Sequence, residues 1–320
     1  MTTEQRPLNS GFGAKTTAKE VLAGLDLTGK IAIVTGGYSG VGLETTRALA
    51  EAGATVVVPA RTQEKARTAL AGIPRVEIDT LELIDPASID AFANRFLASG
   101  RPLHILINNA GIMAAPLQRD ARGYESQFAT NHLGHFQLTA RLWPALKQTG
   151  KSRVVAVSST GIMFGGVDFD DPNFERREYD KWKAYGQSKT ANALFAVALD
   201  KRGERHGIRA FSVHPGGIYT DLMRYLPAEE LAALAAAAGG SLKTPEQGAA
   251  TSVWCATSPQ LDGKGGVYCM DVDIAEVISD FDPGAMALDL RGVLPRAIDA
   301  DSAERLWDLS EQMTGVNFGN

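Results

Sequence analysis

A tyrosine and a lysine stand four residues apart in the stretch Tyr185-Gly186-Gln187-Ser188-Lys189. On a helix this spacing places Tyr185 and Lys189 on one face, about one turn apart. A phenol ordinarily ionises near about pH 10, and a neighbouring ammonium favours the phenolate and lowers that pKa. The pair could therefore give and take a proton in an alcohol–ketone interconversion near neutral pH. Taken alone, the spacing equally fits a solvated helix face.

A glycine-rich loop follows the first predicted strand. Residues 30–35 form a short apolar run suited to a buried strand, and a helical pattern begins in the loop and continues to Ala52. A loop in this position could let the backbone approach a pyrophosphate, with the helix N-terminus supplying free N–H groups. Its spacing, Gly36-x-x-x-Gly40-x-Gly42, departs from the G-x-G-x-x-G pattern of dinucleotide sites.

The second predicted strand, residues 54–60, ends at Arg61. At this place in a dinucleotide site an acidic residue would bind the ribose hydroxyls of NAD, whereas an arginine suits the 2′-phosphate of NADP. The nearest acid, Glu64, falls in the first turn of the next helix, where acids are common because of the helix dipole. We therefore interpret Arg61 as a phosphate ligand, with a solvated loop residue as the alternative.

Further short apolar strands alternate with helices, which predicts an α/β protein with a parallel sheet. The later strands are predicted at 76–83, 103–107, 153–158, 208–213 and 266–269. The helices between and after them are predicted at 85–99, 122–146, 185–202, 244–257 and from Asp301 onward. Ligands of such sheets bind outside the carboxyl ends of the strands, where Asn108–Gly111, Ser159 and Pro215–Gly217 fall.

No linker marks a second domain, so residues 1–320 are interpreted as one domain. Residues 1–27 are an N-terminal extension that starts as a loose leader and continues into a short helix behind the capping box Thr17-Ala18-Lys19-Glu20. Residues 222–243 are interpreted as a mobile substrate lid with few large apolar anchors and a hinge at Gly239-Gly240. Residues 271–320 form a C-terminal extension.

Composition excludes several classes of function. The net charge of −5 and a pI near 5.6 argue against a nucleic-acid partner. The two cysteines, Cys255 and Cys269, are too few for a disulfide framework and lack zinc-site spacing, so no metal site is expected. The two thiols without disulfide spacing fit a reduced, cytoplasmic setting, and since no apolar run reaches about 18 residues we expect no membrane span.

Taken together and in order, these motifs make the chain similar to the short-chain dehydrogenase/reductase family. The resemblance covers about residues 28–270. It implies a Rossmann-type, doubly wound sheet of about seven parallel strands with helices on both faces. The long insertion at 160–184 and the Ala60-Arg61 pair make the chain more similar to the retinol-dehydrogenase-like and WW-domain-oxidoreductase-like branch than to the shortest members.

The resemblance also implies catalytic roles. Tyr185 would be the acid in reduction and the base in oxidation, and Lys189 would lower its pKa and bind the nicotinamide ribose. Ser159 would hydrogen-bond the substrate oxygen, with Ser158 as the alternative serine. Asn131 would hold a water in a proton relay with Lys189, or would be a structural helix residue.

A nicotinamide cofactor, NADP(H), is the ligand that these motifs imply. Two positions depart from the family pattern: Tyr38 lies within the glycine loop, and Glu82 stands where relatives usually have an aspartate against adenine. The residues expected to bind the cofactor are Gly36, Tyr38, Ser39, Gly40, Val41, Gly42, Arg61, Glu82, Leu83, Asn108, Ala110, Gly111, Tyr185, Lys189, Pro215, Gly216 and Thr220.

The sequence thus predicts an NADP(H)-dependent oxidoreductase that acts on a secondary alcohol or on the matching ketone or aldehyde. The alternatives are a nucleotide-binding regulatory protein without useful catalysis, and an epimerase or dehydratase with retained cofactor. Relatives usually pair through the helices that hold Asn131 and Tyr185, so a homodimer or homotetramer is expected. Six side chains could line an apolar pocket for a bulky lipophilic substrate: Met163, Phe164, Trp182, Tyr219, Met223 and Tyr225.

Overall fold

The structure of the protein is a computed structural model that describes residues 3–238, 242–278 and 291–319. Within these residues one sheet has eight strands: β1 (Ile31–Val34), β2 (Thr55–Ala60), β3 (Val76–Thr80), β4 (Ile105–Asn108), β5 (Ser152–Val157), β6 (Ile208–His214), β7 (Val267–Met270) and β8 (Asp273–Ile274). Their order is β3-β2-β1-β4-β5-β6-β7-β8. Strands β1–β7 are parallel, and β8 is antiparallel to β7. The predicted α/β parallel sheet is confirmed, with the two-residue β8 as an addition.

Helices cover both faces of this sheet. They are α1 (Ala18–Val21), α2 (Gly40–Glu51), α3 (Gln63–Leu70), α4 (Pro86–Ala98), α5 (Ser126–Phe128), α6 (Gly134–Lys147), α7 (Lys181–Gly203), α8 (Ala228–Ala238), α9 (Pro245–Thr257) and α10 (Ala300–Thr314). A π-helical turn, Ala129–Leu133, joins α5 to α6, and a 3₁₀ helix, Thr160–Phe164, follows β5. None of the described helices is both long and apolar enough to cross a bilayer.

Alternate residues of each strand feed two separate hydrophobic layers, as the period of two in a strand requires. In β1, for example, Ala32 and Val34 face the layer formed with α1, α2, α3 and α9, whereas Ile33 faces the layer formed with α4, α6, α7 and α10. Because both faces of the sheet are covered, most inner strands are short apolar runs, whereas the edge strand β3 alternates apolar and polar residues. This doubly wound, Rossmann-type arrangement is the predicted one.

Capping signals account for several helix starts. The predicted capping box of α1 is formed, and α9 has another in which Thr244 and Gln247 satisfy each other's backbone N–H groups. The prediction for the last helix was two residues late, because Asp299 is the N-cap residue and accepts from the backbone N–H of Ser302. A side-chain oxygen at the N-cap satisfies one of the free N–H groups of the first turn.

The N-terminal segment is not the loose leader that its composition suggested. The side chain of Gln5 donates to the backbone carbonyls of Tyr268 and Ala275 and accepts from the N–H of Tyr268. The backbone N–H groups of Leu8 and Ser10 donate to the Asp273 carboxylate. These specific hydrogen bonds hold the segment beside β7 and β8, and a polar composition could not reveal them.

The helix that carries Tyr185 is buried around most of its circumference within one chain. From Ala184 to Ala196 every residue of α7 is buried. Helix α10 packs along it, with the Trp307 ring stacked 6.1 Å from that of Phe195. The C-terminal helix therefore covers part of the surface through which subunit pairing is expected, and the oligomeric state stays a prediction.

Candidate active site

A cleft of about 1030 Å³ opens at the carboxyl ends of the parallel strands. Its walls come from the glycine loop, from the segments that follow β2 to β6, from the first turns of α7 and from the segment between β6 and α9. Of the residues expected to bind the cofactor, sixteen line this cleft: Gly36, Tyr38, Ser39, Gly40, Val41, Gly42, Arg61, Glu82, Leu83, Ala110, Gly111, Tyr185, Lys189, Pro215, Gly216 and Thr220.

The glycine loop leaves no room for side chains where it turns into α2. Gly36 has a positive φ of 63°, a conformation that glycine adopts without steric cost. A Cβ at Gly42 would stand 2.3 Å from the Gly36 carbonyl oxygen, and one at Gly40 would stand 3.0 Å from the Thr220 methyl. The N-cap residue Ser39 makes no side-chain cap, so the first N–H groups of α2 are available to a ligand. The loop fits the pyrophosphate of a dinucleotide.

A hydrogen-bonded junction ties β1 to β4 beneath this loop. The Thr35 hydroxyl oxygen accepts from the backbone N–H groups of Asn109 and Ala110 at 2.9 and 3.0 Å, and the Asn109 side chain donates to the Thr35 carbonyl at 2.8 Å. Asn108 lies outside the cleft because its side chain donates to the Thr139 hydroxyl at 3.1 Å. Thr35 and Asn109 line the cleft but were absent from the predicted set.

After β6 the chain turns at Gly216, which has a φ of 106°. A Cβ at this position would stand 2.6 Å from the Lys243 side chain, whose ammonium is buried in an ion pair with Asp271 at 2.6 Å. The Thr220 hydroxyl caps the short 3₁₀ helix Asp221–Met223 by accepting from the N–H of Leu222. Gly216 is thus packed against Lys243, and Thr220 is fixed by its capping bond.

Two cations and one acid stand at the far end of the cleft, beyond β2. The Arg61 guanidinium is largely exposed and lies 3.5 Å from the Glu82 carboxylate. Lys65, in α3, lines the same end of the cleft and is exposed. The sequence interpretation missed Lys65, although a cation four residues after Arg61 on the following helix was a readable signal.

Tyr185 and Lys189 meet at the centre of the cleft. The Tyr185 side chain is buried, and its ring packs so closely on Gly161 that a Cβ there would stand 2.7 Å from the ring. The Lys189 ammonium lies 5.7 Å from the centroid of that ring and donates to the Val157 carbonyl at 3.0 Å. A Cβ at Gly111 would stand 3.6 Å from the same ammonium, which brings the β4 and β5 ends together here.

Burial dominates the electrostatics of this pair, and the expectation that Lys189 lowers the pKa of Tyr185 stays a prediction. Burial raises the pKa of the Tyr185 phenol to about 12, although a hydrogen bond with Ser159 opposes part of that rise. Burial also lowers the pKa of the Lys189 ammonium to about 8. Both shifts have the same cause, since a low-dielectric surrounding disfavours the charged form of each group.

The two serines after β5 have different surroundings. Ser158 is fully buried, and its hydroxyl donates to the Lys189 carbonyl at 2.7 Å. Ser159 lines the cleft as the N-cap residue of the 3₁₀ helix Thr160–Phe164, and its hydroxyl oxygen accepts from the Gly161 N–H at 3.0 Å. The proton of the Ser159 hydroxyl can therefore face a bound ligand, whereas Ser158 braces α7.

Asn131 lies behind the cleft wall in the π-helical turn. Its side-chain oxygen accepts from the Ile112 N–H at 2.8 Å, and its amide nitrogen donates to the Ile112 carbonyl and to the Ser188 hydroxyl, each at 2.9 Å. Its backbone carbonyl meets the Nδ1 of His135 at 2.9 Å. Because protein groups satisfy both ends of the amide, these contacts favour a bridging residue between β4 and α7 over a water ligand.

Three histidines are buried in hydrogen bonds to protein groups, and one of them, His214, lines the cleft. His135 contacts the Thr35 hydroxyl at 2.9 Å, His214 accepts from the Thr160 N–H at 3.2 Å, and His132 contacts the Ser310 hydroxyl at 2.7 Å. Burial lowers the pKa to about 4 for His135 and to about 3 for His132 and His214. Among the described residues no group of three or more His, Cys, Asp or Glu side chains could hold a metal ion.

The segment between β6 and α9 has more apolar anchors than expected. Leu226 is buried in a cluster with Met113 and Tyr185, against which Leu222, Met223, Leu231 and Leu234 also pack. An ion pair of 2.6 Å joins Lys181, at the start of α7, to Glu230 in α8. The prediction of few anchors is therefore wrong. The predicted hinge at Gly239-Gly240 lies outside the described residues.

The six candidate pocket side chains divide evenly. Those that line the cleft are Phe164, Trp182 and Met223, and the first two pack ring against ring at 5.3 Å. Those that do not line it are Met163, Tyr219 and Tyr225, of which Tyr219 is two-thirds exposed. All six are large side chains near the expected site, so only the tertiary structure distinguishes those that line the cleft from those that do not.

Comparison with known proteins agrees with this geometry. The family model described as short chain dehydrogenase matches residues 30–231. A probable oxidoreductase of Streptomyces lividans is 44% identical over 299 residues, which covers 89% of this chain and 97% of that protein. Human retinol dehydrogenase 12 is 37% identical over 300 residues, which covers 92% of this chain and 89% of that protein.

A solved structure shares the fold. It is that of a protein assigned as an NAD(P) dependent gluconate 5-dehydrogenase of Beutenbergia cavernae, with NADP bound at low occupancy. The TM-score is 0.61 and the identity 25%, with 77% of this chain and 96% of that chain covered. The family model and these relatives show that the protein belongs to the short-chain dehydrogenase/reductase family, in its retinol-dehydrogenase-like branch.

Proposed function

We propose that the protein is an NADP(H)-dependent oxidoreductase that interconverts a secondary alcohol and a ketone, or an alcohol and an aldehyde. The observation that carries this proposal is the meeting of Tyr185, Ser159 and Lys189 in one cleft with the glycine loop. The phenol supplies a transferable proton, the serine hydroxyl supplies a second hydrogen-bond donor, and the loop supplies backbone N–H groups. This set matches acid–base chemistry at an oxygen atom beside a bound dinucleotide.

The glycine loop and the strand ends would hold the cofactor. Gly36, Gly40 and Gly42 leave open backbone where a pyrophosphate would sit, and Ala110 and Gly111 line the cleft between that loop and Lys189. Arg61 and Lys65 would face the 2′-phosphate. When bound, NADPH supplies the hydride that the protein itself cannot supply.

The protein handles the proton. In the reducing direction Tyr185 donates its phenolic proton to the carbonyl oxygen, and in the oxidising direction the phenolate accepts the proton of the alcohol. The Ser159 hydroxyl donates a hydrogen bond to the same oxygen, while its own oxygen accepts from the Gly161 N–H. The Lys189 ammonium, with a pKa near 8, provides positive charge beside the site below that pH.

The walls of the cleft favour a bulky lipophilic substrate. Above Tyr185 they are formed by Met113, Phe164, Trp182, Leu222 and Met223. Apolar and aromatic walls with a few converging polar groups are typical of sites for lipophilic small molecules. Two charged residues that also line the cleft, Lys183 and Arg224, are exposed.

Net oxidation of NADPH with a panel of aliphatic and aromatic ketones tests the proposed function. Steady consumption of NADPH with formation of the matching alcohol is the expected result. An epimerase or dehydratase would change the substrate without net NADPH loss, and a regulatory protein would bind NADPH without changing either. Binding without turnover across the panel and across the matching alcohols with NADP⁺ would contradict the proposal.

Arg61 is expected to set the cofactor preference. Charge-assisted hydrogen bonds contribute about 1.5–3 kcal/mol, and the exposure of this guanidinium puts it at the lower end, so Arg61→Ala should weaken NADPH binding about 10-fold. NADH binding should change little, because it lacks the phosphate. Cofactor fluorescence gives both Kd values. Arg67→Ala is the matched control, since Arg67 is a nearby exposed arginine in α3 and bonds Gln63 outside the cleft.

Equal kcat/KM values for NADPH and NADH in the wild type would contradict the interpretation of Arg61. An equal loss of NADPH affinity in Arg61→Ala and Arg67→Ala would indicate that the positive charge of this surface as a whole attracts the cofactor. In that case the preference would depend on overall positive charge near α3 and not on one contact.

Met223 is expected to limit the size of the substrate. It lines the cleft beside Tyr185, so Met223→Ala should raise kcat/KM for bulkier ketones relative to smaller ones by roughly 10-fold, the scale of a few methylene groups in an apolar pocket. Tyr225→Ala is the control, because Tyr225 lies outside the cleft with the Arg224 guanidinium 4.9 Å over its ring. The same change in substrate ranking for both variants would show that the whole segment, and not Met223, determines size selection.

A further inference from the structure

The C-terminal extension reaches the edge of the cleft through Arg296. This residue lies in the 3₁₀ helix Pro295–Ala297, and its Nη2 donates to the backbone carbonyls of Ile162 at 2.9 Å and Met163 at 3.0 Å. Both carbonyls belong to the 3₁₀ helix Thr160–Phe164, whose N-cap residue is Ser159. One guanidinium therefore joins a distant part of the chain to the segment that presents Ser159.

The segment 159–165 needs such outside partners. The last carbonyls of a short helix have no donors within the helix, so side chains or water must satisfy them. Thr190 donates to the Gly165 carbonyl at 2.7 Å, and Arg296 satisfies two of the carbonyls before it. Since Gly161 is packed directly against the Tyr185 ring, a shift of this segment would move Ser159 relative to Tyr185.

The backbone around Arg296 is held in place by buried neighbours. Its neighbours Leu294 and Ala297 are buried in a small cluster that also contains Ile162 and Tyr268. Hydrogen bonds from a guanidinium are stronger than neutral ones, and two bonds to successive carbonyls fix the direction of the chain as well as its place. The C-terminal extension thus holds the segment through a residue that does not itself line the cleft.

We propose that Arg296 is a positioning residue that sets the place of Ser159 relative to Tyr185. The inference rests on the proposed function, in which Ser159 hydrogen-bonds the substrate oxygen. A misplacement of about 1 Å at a catalytic group can lower a rate by about 100-fold. Arg296 touches neither the substrate nor the cofactor part of the cleft, so its effect should appear in kcat and not in cofactor affinity.

Arg296→Met removes the guanidinium and keeps an unbranched side chain. We expect kcat for ketone reduction to fall by about 10- to 100-fold, while the NADPH Kd from fluorescence stays within about twofold. Arg305→Met is the matched control, since Arg305 is another exposed arginine of the C-terminal extension and lies over the Phe169 ring. Arg296→Lys keeps a cation with several N–H donors and should recover at least about threefold of the lost rate.

A second variant separates positioning from general loosening. In a Ser159→Ala background, Arg296→Met should cost less than about threefold in kcat, because the group it positions is already gone. Multiplicative losses in the double variant would overturn the proposal. So would a kcat for Arg296→Met equal to that of the wild type, or a parallel loss of NADPH affinity.

Amide hydrogen exchange in the free enzyme gives a readout that does not depend on activity. Arg296→Met should speed exchange at residues 160–165 by about 10-fold or more, and Arg305→Met should leave it unchanged. If the wild type reduced no ketone, the proposed function would fail and exchange alone would decide whether Arg296 holds this segment. Unchanged exchange in Arg296→Met would overturn the inference in either case.

Discussion

Tyr185→Phe is expected to lower kcat for ketone reduction by about 10²–10⁴-fold, the usual contribution of a placed acid or base. Phenylalanine keeps the ring that packs against Gly161 and removes the hydroxyl that bonds Ser159. The fold and the glycine loop should therefore be unchanged. Stopped-flow single turnovers with bound NADPH measure the chemical step, and cofactor fluorescence measures the Kd, which should stay within about twofold.

Tyr124→Phe is the matched control. The Tyr124 hydroxyl donates to the Met313 carbonyl at 3.1 Å, far from the cleft residues, so the same chemical change is made without touching the site. Its kcat should remain near that of the wild type. Retention of most of the reducing activity in Tyr185→Phe would remove Tyr185 as the proton donor and with it the core of the proposed function.

The pKa of Tyr185 can be tested in the free enzyme. Burial raises it to about 12, so the protonated form persists to higher pH than for an ordinary tyrosine. The tyrosinate difference spectrum between wild type and Tyr185→Phe should therefore show no ionisation between about pH 7 and pH 10. A single tyrosine that ionises near pH 8 in the wild type and is missing in the variant would show that Lys189, and not burial, controls the phenol.

The parts of the site that depend on local chain geometry were predictable. Gly42 and Tyr185 are examples: one needs an absent Cβ next to a turn, and the other needs a helix spacing to a cation. Both requirements depend only on residues that are close together in the sequence. The fold class was predictable for the same reason, since buried parallel strands are short apolar runs between helical patterns.

The parts that depend on contacts between distant segments were not predictable. The spacing of Tyr185 and Lys189 indicated proximity, but the pKa of the phenol depends on burial beneath Gly161 and the Leu226 cluster. The choice of Asn109 over Asn108 at the cleft depends on the strand pleat and on Thr139 in α6. A resemblance to a family indicates the roles of residues. The burial of a side chain and the direction in which it points are determined by packing between distant segments.

Acid is expected to destabilise the fold strongly because three histidines are buried as neutral rings. His132, His135 and His214 have pKa values lowered to about 3, 4 and 3, below the ordinary value of about 6.5. Below about pH 6.5 these histidines bind protons in the unfolded chain but stay neutral in the folded chain, so the free energy of unfolding falls as the pH falls. Their contribution is fully present above about pH 6.5 and declines until the pH reaches the folded values.

The expected loss is large. Because the unfolded histidine is half protonated at about pH 6.5, acidification from there to pH 5 should lower the free energy of unfolding by ~1.6 kcal/mol for each ring and ~5 kcal/mol for three. That is comparable with the whole free energy of unfolding of a typical domain, about 5–15 kcal/mol. Glu125, whose pKa burial raises, works in the opposite direction and offsets part of this loss.

Urea denaturation at several pH values measures the effect, and His132→Phe isolates one ring. His132 is packed among the rings of Phe128, Phe136 and Phe195, and its Nδ1 has no hydrogen-bond partner among the described residues. A phenylalanine should fit there. It should reduce the number of protons taken up on unfolding by about one, and so make the free energy of unfolding less dependent on pH between pH 5 and pH 6.5. A wild type equally stable at pH 5 and pH 7.5 would show that these rings are not held neutral.

The His135 ring bonds both the Thr35 hydroxyl and the Asn131 carbonyl. Protonation of this ring would therefore also disturb the junction beneath the glycine loop. Cofactor affinity should fall at a higher pH than the one at which the chain unfolds.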